Sequence, residues 1–510
     1  MGFVAQTTGE SGVLVLHERQ EQWNRMQELA AAQDWAGAAV LLETMDVQRL
    51  AAREKQCAAQ LAGALPEAEA RRSPLLCVRR AQLAADLGDA GALRRALADL
   101  ASLREKSREG TPARRRADDL LSAASLLKSG VDNAQLLLTL SVLYNELAGA
   151  APEAVFSATG GRPSVLNGAK DLSQWGRNWR AVSSIVRPML GALLAEGGKG
   201  APEAAAAEVL YLKNDLNGAA LQLAAAKNAP DAEIRFAGQA LTAQLHLLDP
   251  AAKPPEELLE RMAETLAGEG AGWLDENMQA LAARLDIARG RLAQAQQWLE
   301  GREGAQFDRP CPENAYVLHT KAMAYLALDR CREAAMLTED LLLTVGDESR
   351  PIDRIGYLLD GALACERLGG ADAALDKVCE ALALAQPYGY VRLFADRGAP
   401  MLALLTRCAR ERAPEQAAFL KRAVDGAKQM SLVCPALYAP AKAQADAPQL
   451  TAAEVEILHL LAQGKTNKDI CDAMGIKLST AKFHIHNLCE KLGAANRTAA
   501  VSQAKKQGML

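Results

Sequence analysis

Along most of this chain the apolar residues recur three and four positions apart, the period that lays one buried stripe along an α-helix. Trp23, Met26, Leu29 and Ala30 share one such face. Asp34-Trp35 then turns the chain, and Ala38, Ala39, Leu41 and Leu42 open the next helix. The same pattern of helix, short Gly- or Asp-containing turn and small residues recurs. It is found at 87–93 (LGDAGAL), 213–220 (KNDLNGAA), 288–295 (ARGRLAQA), 329–335 (DRCREAA) and 368–374 (LGGADAA). In the last three, Ala295, Ala334 and Ala373 fall 39 residues apart. Small side chains at these positions let the two helices of a pair approach closely. One pair cannot bury its own apolar face, so the pairs must stack into a superhelix. The pattern therefore predicts an all-α chain: a disordered start (residues 1–12), a helical-repeat body (13–434), a Pro/Ala-rich linker (435–449) and a C-terminal domain (450–510).

The helical pattern lapses between Pro152 and Arg180, where Gly160-Gly161, Pro163, Gly168 and Gly176 break it. This stretch also holds Arg162, Asn167, Lys170, Asp171, Trp175, Arg177 and Trp179. Two readings stand. Tryptophans among charged and amide groups can bind a small polar ligand. Equally, a structured connector can plug a gap in the solenoid. A shorter interruption runs over 301–312.

The C-terminal domain reads as four helices. Thr451 with Glu454 three places on is a capping box for the first, and Gly464 ends it. A second helix starts at Asn467 and turns at Gly475. A third spans Leu478 to Leu492, and a fourth spans Arg497 to Gln507. Two short helices, a tight turn and a longer third helix make a helix-turn-helix. Ala481, Ile485, Leu488 and Leu492 form the inward stripe of the third helix. Lys482 and His486, four apart, share another face with Ser479 and Phe483. Lysine and histidine donate to guanine or phosphate, and a phenylalanine can press on a thymine methyl. Thr480 and Lys468 are placed for phosphate. Taken alone, this face also fits an ordinary solvated helix. His459 is expected to be structural.

Half the residues are hydrophobic and only 4% aromatic, a helix-rich composition. The net charge of −4 is unevenly spread. Residues 448–510 carry eight Lys/Arg against five Asp/Glu, so the surplus of acid lies in the body. A basic end on an acidic body suits DNA contact at that end. Ten scattered cysteines without a CxxC pair read as small buried hydrophobes in a reducing cytoplasm. No apolar run reaches the ~18 residues that span a bilayer, and no signal peptide opens the chain. No catalytic constellation, metal-ligand spacing or cofactor motif appears, so neither an enzyme nor a metal site is expected.

Two resemblances sharpen these expectations. Leu450-Thr451, Glu454, residues 456–458, Gln463-Gly464, Asn467-Lys468, Ile470, Ser479-Thr480, Lys482, His484, Lys491-Leu492 and 496–498 match the DNA-binding domain of LuxR-type transcription regulators without a gap. The resemblance implies that Lys482, Phe483 and His486 enter the major groove of double-stranded DNA. Ser479, Thr480, Lys468 and Lys491 would hold its backbone, and the fourth helix, Arg497 to Gln507, would make a homo-oligomer contact. Three positions depart from that family. Ala453 replaces the usual arginine and Ala481 a valine. Lys477 stands where Ser or Thr caps the recognition helix; a lysine cannot cap there, though its length would let it reach a phosphate. The helix pairs resemble tetratricopeptide repeats. Residues 61–66, 74–76 and 391–401 (VRLFADRGAPM) resemble the superhelical sensor of MalT-like regulators. Such regulators carry an ATPase domain ahead of the superhelix. Here no GxxxxGK[ST] loop is present, and residues 197–200 (GGKG) lack its spacing. The expected function is a cytoplasmic transcription regulator whose body senses a small-molecule or protein effector. The rival is a solenoid adaptor that binds a protein.

Overall fold

In the computed structural model of this chain, one turn recurs and sets the architecture. The structure describes residues 10–125, 127, 157–178, 198–249, 252, 254–302, 309–345, 350–412, 414–438, 452–474, 476, 478–491, 494 and 496–506. At Gln33, Gly88, Asn214, Gly290, Asp329 and Gly369 the backbone takes a positive φ of 54–85°. The next N–H reaches back five residues into the helix just ended: Asp89 to Ala84, Asp215 to Leu210, Arg291 to Asp286 and Arg330 to Tyr325 at 2.8 Å, Gly370 to Cys365 at 2.9 Å. That bond satisfies carbonyls left over at a helix end. The residue making it is also the cap of the following helix. Asp34, Asp89 and Asp215 each accept an N–H three residues on, from Gly37, Ala92 and Gly218. One residue thus closes one helix and opens the next, and the two must pack side by side.

The pairs follow: Pro74–Asp86 with Ala90–Lys106, Ala201–Leu212 with Leu216–Ala226, Asp275–Ala288 with Leu292–Glu300, Ala315–Ala327 with Cys331–Val345, and Pro351–Arg367 with Ala371–Ala385. First helices of successive pairs also touch, as Asp275–Ala288, Ala315–Ala327 and Pro351–Arg367 do in turn. They are buried on nearly every side, whereas Cys331–Val345 buries one stripe and leaves Met336 and Leu343 exposed. The cores form a series along the chain, as expected for stacked repeats.

Two expectations need correction. Ala295 and Ala334 are the fourth residues of their helices and are fully buried, but the equivalent residue is Ala374; Ala373 is exposed. The tandem alanines hide a one-residue shift, because the last helix begins 40 residues after its predecessor, at Ala371. The expected linker also begins too early. The last body helix is Ala417–Val433, yet Leu437 and Tyr438 are 2% and 1% exposed and belong to the main core. Two apolar anchors outweigh the Pro/Ala composition around them. Tyr438 holds φ at 51°, and its buried hydroxyl has no hydrogen-bond partner among the described residues. A left-handed backbone costs an aromatic residue roughly 1–2 kcal/mol, and an orphaned buried hydroxyl costs about 1–3 kcal/mol. Arg367 donates to the Tyr438 carbonyl and helps to hold it.

One charged cluster joins distant parts of the body. Lys55 meets Asp86 at 3.0 Å and Glu313 at 2.6 Å, and the Glu313 N–H donates to the Asp86 carbonyl. Burial alone would push the Lys55 ammonium down; the two carboxylates outweigh it and hold it above its ordinary value. The ten cysteines are all free; Cys77, Cys331, Cys408 and Cys434 are buried. Among the described residues no helix is long and apolar enough to cross a membrane.

Candidate nucleic-acid interface

The C-terminal domain is built from helices Ala452–Ala462, Asn467–Met474, Leu478–Lys491 and Arg497–Lys506. Each bound agrees with the sequence reading within the described residues; Thr451, Gly475, Leu492, Gly493 and Gln507 lie outside them. Gly464 ends the first helix at φ 77°, and the Lys465 N–H reaches back to Leu460. The second helix opens on a reciprocal cap. The Thr466 hydroxyl and N–H both donate to Asp469 at 2.8 Å, and the Asp469 N–H donates back to Thr466. The Thr466 N–H and hydroxyl hold the Asp469 carboxyl below its ordinary value. This Thr-x-x-Asp signal is plain in the sequence and was not among the elements expected from it. Asn496 caps the fourth helix through the Ala499 N–H.

Ile457, Leu458, Leu461, Ile470, Ala481, Leu488, Ala500 and Ala504 form the core of this domain, with Ile485 partly buried against it. Ala481 and Leu488 are fully buried, which fixes the rotation of the third helix. Lys482 and His486, one turn apart on its other side, are exposed. Lys468 is exposed at the start of the second helix and Thr480 is half-buried. Ser479, Phe483 and Lys491 lie on the third helix, but their side chains fall outside the described residues, as does all of Lys477. His459 is exposed, contrary to the expectation that it is structural, because its neighbours Ile457, Leu458 and Leu461 take the inward positions. Arg497 donates to the Asn467 side chain at 3.2 Å and to the Lys465 carbonyl. It braces the domain across the first turn, and Ala500 and Ala504 face inward with it. Arg497→Ala should cost the fourth helix about 1–2 kcal/mol. The check is faster amide exchange across 497–506 in the full chain, with exchange in the body unchanged.

The interruption after Pro152 is described over 157–178, and there the plug reading matches the geometry. Asp353 accepts from Arg162 at 2.8 Å, Asn167 at 2.7 Å and Arg350 at 2.7 Å. Arg350 also donates to the Asn167 and Gly168 carbonyls, and Asp171 accepts the Ile352 N–H. Further along, Glu233 accepts from Ser157 and Thr159, and Tyr390 donates to the Ser173 carbonyl. Arg162, Asn167 and Asp171 are therefore internal ties rather than a free polar face. Lys170 is half-buried, and burial pushes its ammonium down to about 8. Arg177 is exposed over the Tyr388 ring. The Trp175 side chain and Trp179 lie outside the described residues. Arg162 and Asn167 also line a cavity of about 250 Å³ behind the loop.

Burial pushes the Glu208 carboxyl up to about 7, although Ser164 and the Val165 and Leu166 N–H groups donate to it. Unfolded, it titrates near its ordinary 4.5. Folding therefore takes up a proton between these values, and stability is lost as pH rises across that window. Burial raises Asp171 to about 6, which acts in the same direction. The melting temperature should fall from pH 5 to pH 7.5, and Glu208→Gln should flatten that slope; an unchanged slope places the proton elsewhere.

Comparison with known sequences gives two family matches. Residues 197–412 match the MalT-like TPR region, and residues 448–504 match the bacterial regulatory proteins of the luxR family. Transcriptional regulatory protein LiaR of Bacillus subtilis (strain 168) is 43% identical over 61 residues, 12% of this chain and 29% of LiaR. Probable transcriptional regulatory protein NarL of Mycobacterium tuberculosis (strain CDC 1551 / Oshkosh) is 35% identical over 97 residues, 18% of this chain and 45% of NarL. The HTH-type quorum sensing-dependent transcriptional regulator RpaR of Rhodopseudomonas palustris (strain ATCC BAA-98 / CGA009) is 47% identical over 62 residues, 12% of this chain and 26% of RpaR. The chain spans less than half the length of each of these relatives.

Proposed function

We propose that this chain, which joins a MalT-like TPR region to a luxR-family domain, is a DNA-binding transcription regulator controlled by a signal that its helical body receives. The observation that carries the reading is the rotation of the Leu478–Lys491 helix. Ala481 and Leu488 are locked into the core, so Lys482 and His486 stand in solvent where a recognition helix meets base edges. Phe483 and Ser479 extend that face by their place in the helix. Lys468, Lys477, Ser479, Thr480 and Lys491 supply backbone contacts. A head of this size makes few phosphate contacts, so two or more copies act together on repeated half-sites. The fourth helix is the contact proposed between copies, through the positions not taken by Arg497, Ala500 and Ala504.

The test is salt dependence on a duplex selected by the full chain from a random pool. The logarithm of affinity should fall linearly with the logarithm of salt, with a slope of about −0.9 per phosphate neutralised. A flat line, with a protein captured in place of DNA, would sink this reading and leave the solenoid adaptor.

A further inference from the structure

The cavity behind the 157–178 loop is just under the ~300–1,000 Å³ usual for small-molecule clefts, with a volume of about 250 Å³. It has room for a small metabolite. Much of its wall is apolar: Leu241, Leu247, Leu248, Leu281, Leu285 and Met323. Most charges in the rest of the wall are already matched. Arg162 pairs with Asp353, Arg397 with Asp360, and Asp396 with Arg392. Arg284 differs. It donates to the Thr320 hydroxyl at 2.8 Å and the Tyr316 carbonyl at 3.3 Å, and its guanidinium lies 3.9 Å from the Tyr316 ring centroid. No carboxylate among the described residues pairs with it, and its other N–H donors remain for a ligand. The side chain of Gln244, also in the wall, makes no hydrogen bond to a described residue.

We infer that this cavity binds a small monocarboxylic acid with an apolar body, its carboxylate held by Arg284 and Gln244 and its tail by the leucine wall. A guanidinium fork matches a carboxylate in geometry and charge. A doubly charged phosphate fits less well, because Asp353, Asp396 and Glu208 line the same space. Leu437 and Tyr438 form part of the wall, and they are the last described residues before the chain runs on to the head. A ligand there presses on the strap that joins body to head. That strap already carries a left-handed backbone and an orphaned hydroxyl at Tyr438. The inference rests on the body being the part that receives the signal.

The test uses the full chain with hexanoate and phenylacetate as probes, and hexanamide and phenylacetamide as neutral controls of the same shape. At least one acid should raise the melting temperature in a dose-dependent way while its amide does not. Arg284→Gln should weaken that acid about tenfold or more. If Arg284→Gln fails to fold, Gln244→Leu serves in its place, with a smaller loss. Because binding linkage is reciprocal, the saturating acid should also change the affinity for the selected duplex. No stabilisation by either acid, or equal stabilisation by acid and amide, overturns the site; an unchanged duplex affinity overturns the strap's part in it. Steep salt dependence on the duplex alongside a failed acid titration leaves the regulator reading intact. Acid binding without duplex binding upholds the cavity and removes the regulator.

Discussion

Replacing Asp353 with alanine should destabilise the body by about 3–5 kcal/mol, the usual cost of stranding a buried partner charge. Arg162 is 5% exposed and Asp353 8%, so neither can turn to water. Burial alone would raise the Asp353 carboxyl; Arg162 and Arg350 outweigh it and hold the group well below its ordinary range. Without Asp353, Arg162 keeps only the Pro312 carbonyl, and Asn167 loses its acceptor. The 157–178 loop then loses its charged tie to the Pro351–Arg367 helix and keeps the Ile352 N–H bond to Asp171. Denaturant unfolding of the full chain measures the loss, read as a shift in the body transition, since a long repeat array need not unfold in one step. The double change Arg162→Met, Asp353→Leu should recover part of the stability, because it removes the stranded Arg162 charge and leaves Arg350 with the Asn167 and Gly168 carbonyls. A loss under about 1 kcal/mol for Asp353→Ala would mean that the loop is held by something else.

What the sequence made legible and what it hid follow from the range of each interaction. Helices were legible because period is local. The turns were legible because a left-handed residue favours Gly, Asn or Asp, and five of the six recurrent turns have one; Gln33 is the exception. The exposed faces of the third C-terminal helix were legible because the same stripe that buries Ala481 and Leu488 turns Lys482 outward. The role of the loop was not legible. Arg162 and Asn167 find their acceptor 191 and 186 residues downstream, and no local pattern marks a pairing of that range. The strap was hidden for another reason: averaging composition over 435–449 submerged Leu437 and Tyr438, the two residues that bind it to the core.

Lys482→Ala should cost about 1–3 kcal/mol of specific duplex binding, roughly five- to 150-fold in affinity. The side chain is exposed, on a helix whose core-facing residues are its neighbours, and alanine is the better helix former. The variant should therefore keep the melting temperature and amide-exchange pattern of the parent, so a loss of binding reads on contact rather than folding. Lys468→Ala is the informative companion. It lies at the start of the second helix, where a phosphate contact is proposed. Its removal should weaken selected and random duplexes alike and reduce the salt slope by about one. Lys482→Ala should instead narrow the gap between selected and random sequence, because a base contact carries discrimination and a phosphate contact does not. The two variants thus separate groove reading from electrostatic attraction. If Lys482→Ala and Lys468→Ala behave identically on both duplexes, the exposed face of the Leu478–Lys491 helix does not read sequence. A Lys482→Ala protein that binds the selected duplex as tightly as the parent removes that helix from the interface.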